Sequence, residues 1–249
     1  ATREAVAAAS AHGCEVALCT GRSFSELREA LEAMPSIRYA VCCNGASVVD
    51  GVGRMQLYSN PLPLALVQQV HGRLSSFDMQ FEVFAGTRVY TERHCCENPA
   101  HYGVGPLLPL IVETRIPVDD MAAFLAGLTT PVDKVNIFFP DAVTRDAAWK
   151  AAEVCPVSLT TSEPTNLEVN LPSADKGDGL SHLAAHLGIR REEVVAIGDN
   201  LNDLKMLEYA GMAVAMGNAV EEARKRADMF TDTNDNDGVA KAICKLWNV

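Results

Sequence analysis

Ala and Val recur among polar residues at helical spacing over 2–12, and Gly13 stops that run. The short apolar stretch Glu15–Thr20 has the length of a strand. Ser23-x-x-Glu26 is a capping box and predicts a helix to about Met34. Tyr39–Cys43 is a second apolar strand, and Asp50-Gly51 between Ser47–Val49 and Arg54–Tyr58 predicts a hairpin. The texture changes at Asn60-Pro61. A helix over Leu64–Leu74 is followed by two strands, Met79–Phe84 and Arg88–Glu92, around Ala85-Gly86, and then by an irregular stretch, His94–Pro109. Strands over Ile111–Ile116, Lys134–Phe139, Val157–Thr161 and Asn166–Asn170 alternate with helices over Asp119–Leu128 and Asp141–Glu153.

The first texture returns after Pro172. Leu180, Leu183, Ala184 and Leu187 form an amphipathic stripe that ends at Gly188. Strands are expected at Val194–Gly198 and Met212–Ala215, and helices at Asn202–Tyr209, Ala219–Ala227 and Val239–Trp247. Helices alternating with short apolar strands predict an α/β core, a doubly wound parallel sheet made by both ends of the chain. The mixed middle third predicts an inserted α+β domain. The boundaries read as core over 1–60 and 166–249, with the insert over 61–165.

The 249 residues carry a net charge of −11, which disfavours nucleic acid and anionic membrane surfaces as partners. No apolar run reaches the roughly 18 residues of a membrane span, and no signal-peptide pattern opens the chain. The eight cysteines form no C-x-x-C pair and read as free thiols of a reducing cytoplasm.

The strongest chemical signal is the apolar strand that runs into Gly198-Asp199-Asn200-Leu201-Asn202-Asp203. Ligands of open α/β sheets bind beyond the carboxyl ends of strands. Two carboxylates and two amides there suit a hard cation, Mg²⁺ above all, although the same residues also suit a plain Asp/Asn helix cap. Thr20-Gly21-Arg22 ends another strand, where a hydroxyl, an open backbone and a helix start suit an anion, or else form a simple junction. Asn44-Gly45 ends a third strand and reads alone as a turn. Lys176 opens a helix, against the sign of the helix dipole, a misplacement that an anionic partner would repair. Taken together, these groups converge on one sheet edge and suit a phosphate ester.

These segments resemble motifs of the haloacid dehalogenase-like superfamily, specifically the Cof-type phosphatases with an inserted α/β cap of type IIB. Ala17–Arg22 is similar to the second motif, Cys43–Ala46 to the Asn-Gly segment, Asp175-Lys176-Gly177 to the third and Gly198–Asp203 to the fourth. Ala215–Ala219 and Asp237–Val239 fit the same pattern. The resemblance implies that Thr20, Gly21, Arg22, Asn44, Gly45, Lys176 and Asn202 meet a substrate phosphate. Thr20 and Lys176 would be catalytic, and Asp199, Asn200 and Asp203 would serve a Mg²⁺ ion, Asp203 through its waters or through Lys176. The implied activity is hydrolysis of small phosphorylated metabolites, sugar phosphates among them, through an aspartyl-phosphate intermediate. A non-catalytic phosphometabolite-binding protein and a phosphomutase are the rival readings, and the oligomeric state stays open.

The superfamily's first motif, Asp-x-Asp-Gly after an apolar strand, is missing from the N-terminal part of the chain. Asp235–Val239 matches its letters but follows a polar loop. The resemblance implies that a segment ahead of Ala1 carries the nucleophile and the central strand, and that the chain without it is inactive. In the insert, Arg88, Tyr90, Arg93, His94, His101 and Tyr102 are candidates for a substrate-facing surface. His94-Cys95-Cys96-Glu97 with His101 reads as no metal cluster, because adjacent cysteines on a strand point to opposite faces and the spacing fits no standard zinc pattern.

Overall fold

A computed structural model describes residues 1–53 and 55–248. It divides into two compact units, one formed by Ala1–Ser59 with Ala174–Val249 and the other by Asn60–Ser173. The first unit opens with the helix Thr2–Ala11 and the strand β1 (Ala17–Cys19). The Ser23–Glu26 box is present, with the Ser23 amide donating to Glu26 at 2.7 Å, and it starts a 3-10 turn over Phe24–Leu27 that continues as the helix Arg28–Ala33. Strands β2 (Tyr39–Cys42), β3 (Ser47–Asp50) and β4 (Met55–Ser59) follow. β1 runs parallel to β2, whereas β2, β3 and β4 are antiparallel neighbours. Arg54, expected to open β4, lies outside the described residues. Asp50 anchors the hairpin. It takes a two-pronged bond from Arg38 at 3.0 and 2.6 Å and accepts the amides of Val52 and Gly53, which hold its carboxyl down to about 2.

The insert carries β5 (Gln80–Ala85), β6 (Arg88–Glu92), β7 (Arg115–Val118), β8 (Val132–Phe138), β9 (Ser158–Thr160) and β10 (Asn166–Asn170). They lie in the order β7-β6-β5-β8-β10-β9. One face is apolar. Phe81, Val83, Val135, Ile137, Leu167 and Val169 pack with Val67, Val70 and Leu74, with Met121 and Leu125, and with Ala148 and Ala152 of the three long helices. Alternation gives the other face a polar set, Glu82, Asn136 and Glu168 standing in register across β5, β8 and β10. All three are buried and bonded. Arg115 forks onto Glu82 at 2.8 Å twice, Lys134 donates to Glu168 at 2.8 Å, and Asn166 donates to Asn136 at 3.0 Å.

Several expectations are corrected in the insert. Asn166–Asn170 pairs with β8 and β9, so the boundary expected at 166 falls at 174. Ile111–Ile116, read as a strand from its β-branched residues, is the end of a helix, Leu108–Thr114, followed by β7. Pro109 in the helix's first turn favours that start, and Ile111 is buried with Cys95, Tyr102, Val104 and Phe138, so packing overrides β-propensity. The stretch read as irregular contains the helix Arg93–Glu97 and 3-10 turns at Pro99–Tyr102 and Gly105–Leu107. Tyr90 stacks at 4.7 Å on Phe124 in the apolar layer, Tyr102 is buried, and Arg93 and His101 pair with Asp119 and Asp78.

The first unit resumes with the helix Lys176–Leu187, capped by Asp175 and ended by Gly188 in the left-handed region. Strands β11 (Val195–Gly198), β12 (Met212–Ala215) and β13 (Met229–Phe230) then form a separate sheet that is parallel throughout, whereas the β1–β4 sheet is mixed. The helix expected over Ala219–Ala227 is one turn, Glu221–Arg224, and β13 follows it. The last helix, Gly238–Trp247, packs Ala240 and Ile243 on Ala5, Val6 and Ala9 of the first. Leu18 of β1 and Ile197 of β11 reach this same apolar cluster. β1 pairs only with β2 and β11 only with β12 among the described residues, so each presents an open edge. No helix among the described residues is long and apolar enough to cross a membrane.

Asp133, beside the register shift on β8, is buried, and desolvation pushes its carboxyl up to about 7. A carboxyl raised in the native state keeps its proton where the unfolded chain has lost it. Its contribution therefore turns against folding as pH rises from 3.8 towards about 7. Asp133→Asn is expected to stabilise the protein at pH 8 by on the order of 2–4 kcal/mol, and the gain should vanish by about pH 4. Urea unfolding at both pH values measures this, and a gain independent of pH would exclude the buried carboxyl as its source.

Candidate active site

The site grows from the carboxyl ends of β1, β2, β11 and β12. Thr20 leaves β1 with its amide still donating to Val41 at 2.8 Å, and its hydroxyl accepts the Arg22 amide at 3.1 Å. That closes Thr20-Gly21-Arg22 into a tight turn. The Cys43 amide donates to the Arg22 carbonyl at 2.9 Å and the Asn44 amide to the Thr20 carbonyl at 3.0 Å, so the loops after β1 and β2 are stitched together. Cys43 and Asn44 both hold positive φ, 52° and 57°, a strained pair of the kind that collects at functional loops. Gly45 follows at φ 97°, and a Cβ there would overlap the Asp175 carbonyl. Only glycine lets the β2 loop lie against the start of the Lys176 helix.

Lys176 is the first residue of that helix and is buried. Its ammonium donates to Asp203 Oδ1 at 2.6 Å, so the anion that repairs its dipole-opposed position is in the protein itself. The other oxygen of Asp203 accepts the amides of Asp199 at 2.8 Å and Asn200 at 3.1 Å. A Cβ at Gly198 would meet the Asp203 side chain, which explains the glycine ahead of Asp199. Asn202 donates to Asn44 Oδ1 at 3.2 Å and joins the loop after β11 to the loop after β2.

Asp199 stands at the end of β11, half-buried. Its carboxyl is raised above the usual range, first by burial and then by the Asp203 charge. Asn218 donates to Asp199 Oδ2 at 2.9 Å and is itself held by the Asn234 amide at 3.0 Å. Asn218 was given no role from sequence, although it follows β12 at the same sheet end. Lys176 bonds Asp203 directly and its charge also favours the Asp199 carboxylate, which accepts from the Asn218 amide. Oxygen donors around a carboxylate whose charge is disfavoured fit a hard divalent cation such as Mg²⁺. Asp199 is the residue that could hold such an ion.

The structure thus joins Thr20, Asn44, Gly45, Lys176, Asp199, Asn202 and Asp203 in one constellation. Gly21 lies in the same turn, and Arg22 is exposed and enters through its backbone. Asn200 is turned differently, because its Oδ1 accepts the Leu201 amide at 2.7 Å and caps the next turn. The Asp235–Gly238 letters form a 3-10 turn and the left-handed Asp237 that begin the last helix.

The profile for haloacid dehalogenase-like hydrolases matches residues 1–243. Phosphatase YwpJ of Bacillus subtilis is 32% identical over 257 residues, covering 94% of this chain and 88% of that protein. The solved structure of a haloacid dehalogenase-like hydrolase from Bacteroides thetaiotaomicron superposes with a TM-score of 0.84 at 30% identity, over 98% of this chain and 91% of that one. A subclass IIB sugar phosphatase of the same superfamily shares the fold at a TM-score of 0.80 and 21% identity, over 100% of this chain and 91% of its own. The chain belongs to the haloacid dehalogenase-like hydrolase family.

Asp203→Ala would leave the Lys176 ammonium buried without its partner and two amides without an acceptor. The expected cost is about 3–5 kcal/mol. Asp199→Ala, at a half-buried position, is expected to cost at most about 1 kcal/mol. Urea midpoints in Mg²⁺-free buffer compare the two, and equal costs would remove Asp203 from its organising place.

Proposed function

We propose that this chain carries the phosphate- and metal-binding part of a Mg²⁺-dependent phosphatase acting on small phosphorylated metabolites, sugar phosphates among them. The observation that carries the reading is the buried Lys176–Asp203 pair at 2.6 Å, set beside Asp199 and the Thr20 turn at the ends of parallel strands. The Thr20 hydroxyl and the Gly21 backbone bind the phosphoryl oxygens. Lys176 neutralises their charge while Asp203 keeps it aimed. Asn44 and Asn202 bound the same site. Asp199 would hold Mg²⁺, which supplies charge stabilisation on the phosphoryl oxygens when bound. The kinship with phosphatases supports this chemistry.

The nucleophile of such a reaction is a carboxylate free to attack phosphorus. Asp203 is committed to Lys176 and two amides and cannot serve. The reading therefore assigns the nucleophilic Asp to a strand outside these residues, seated between the open edges of β1 and β11. The same commitment of Asp203 favours a second reading, in which the chain binds phosphometabolites without turnover.

The test grafts the first apolar strand of a solved relative, with its terminal Asp-x-Asp, ahead of Ala1. The grafted protein is expected to release phosphate from sugar phosphates only with Mg²⁺, and Asp199→Ala should cut that turnover by roughly a hundredfold or more. The chain from Ala1 should bind orthophosphate calorimetrically without turnover. Unchanged turnover in Asp199→Ala would overturn the metal assignment. Binding with no turnover in the grafted protein favours the second reading, and an isomer in place of free phosphate would make the protein a mutase.

A further inference from the structure

We propose that Glu92, His94 and Cys95, at the end of β6 in the insert, form a site for a borderline-soft divalent cation, Zn²⁺ by preference. The strand geometry that argued against a cluster here does not apply, because Arg93–Glu97 is a turn of helix. The members also differ from those read in sequence. Cys96 and Glu97 drop out, His101 is engaged at 2.7 Å by Asp78, and Glu92 joins.

In this arrangement a carboxylate oxygen, an imidazole nitrogen and a thiol sulfur lie within 4.8 Å of one another. His94 Nε2 stands 3.3 Å from Cys95 Sγ. A tetrahedral zinc with its sulfur at about 2.3 Å and nitrogen at about 2.0 Å separates those atoms by roughly 3.5 Å, so the pair needs little movement to close on an ion. Cys95 is fully buried and His94 exposed, which gives the ion an entry path from solvent past the imidazole. Three protein ligands leave a fourth position for water.

A second observation points to the same spot. The Thr91 hydroxyl is fully buried, and among the described residues no oxygen or nitrogen answers it. It lies beside the Cys95 sulfur, as does the Tyr102 hydroxyl, and both favour the ionised sulfur, although burial pushes the free thiol, which donates to the Met79 carbonyl at 3.7 Å, up to about 12 until a cation offsets that cost. Two buried hydroxyls beside a sulfur suit a thiolate, which accepts hydrogen bonds more strongly than a thiol. On binding, the thiol loses its proton to solvent and the sulfur–metal bond forms, while neutral His94 and ionised Glu92 donate lone pairs. Two negative ligands then cancel the 2+ ion, and a neutral site is the form that burial tolerates. Sulfur and imidazole donors select against Mg²⁺, so this site differs in chemistry from the all-oxygen set around Asp199. The inference stands apart from the phosphatase reading and does not depend on it.

The chain is stripped of metal with a chelator, dialysed, and titrated with Zn²⁺ in excess Mg²⁺ so that oxygen-only sites are filled. The expected result is one Zn²⁺ per chain with micromolar or tighter affinity. Co²⁺ in its place should give a near-ultraviolet thiolate-to-metal charge-transfer band. His94→Ala, at an exposed position that leaves the circular dichroism unchanged, should weaken Zn²⁺ binding at least tenfold. Cys95→Ala should remove the cobalt band. Absence of Zn²⁺ binding, binding unaltered in His94→Ala, or a Co²⁺ complex without the thiolate band would each overturn the site.

Discussion

One buried ion pair organises the core's site. Lys176 enters from the helix that follows the insert and Asp203 from the loop after β11, and they meet at 2.6 Å with both side chains almost fully covered. A buried pair is worth having only when its remaining lone pairs are satisfied. Asp203 meets that condition by accepting the Asp199 and Asn200 amides, which fixes the backbone from which the Asp199 carboxylate projects. A single carboxylate thus positions a cation and a second, less neutralised carboxylate. The glycines make this possible. Gly45, Gly177, Gly179 and Gly198 each stand where a Cβ would run into backbone or into Asp203 itself. The sequence places glycine where the elements must nearly touch, and the electrostatics follow from that closeness.

The insert solves a different problem with the same physics. Its sheet has a conventional apolar face under three helices and a polar face in which Glu82, Asn136 and Glu168 align across neighbouring strands. Isolated, each would be costly to bury. Arg115, Lys134, Asn166 and the hydroxyls of Thr160 and Ser162 answer them with hydrogen bonds, and both cations also lie within 6 Å of the Phe84 ring centre. Asp133 is the departure, a buried carboxyl that desolvation pushes up to about 7.

The parts of this architecture that were legible in the sequence are those governed by short-range rules. The Ser23–Glu26 box and the Gly188 stop each act within one turn of chain, and each appears where the pattern puts it. The site was legible because strand-end loops of a parallel sheet meet at one edge, so Thr20, Asn44 and Asp199 could be grouped before their distances were known. The misses are tertiary. Leu108–Thr114 is helical because Ile111 is needed in a small cluster around Cys95, and no local propensity contains that fact. Asn166–Asn170 joins the insert by pairing with β8, a long-range choice. Asn218 went unassigned because a lone amide on an exposed loop carries no chemical signal until the carboxylate it holds is in place. Asn200 carried the opposite risk, since an Asn after a strand suits a cap and a metal site equally, and here it caps.

The open edges of β1 and β11 connect the fold to its chemistry. Interior strands of parallel sheets are normally buried on both faces, and β2 and β12 largely follow that rule. β1 is only half-buried throughout and β11 at alternate residues, yet both send side chains into the apolar cluster under the first and last helices. Two strands that share a core but leave backbone groups unpaired are a template for a third. A strand added at either edge would satisfy its row of donors and acceptors. Under the proposed phosphatase reading, a strand that covered such an edge is a better carrier for the nucleophilic carboxylate than the acidic residues of the surface loops, because it would answer the sheet's unpaired groups as well.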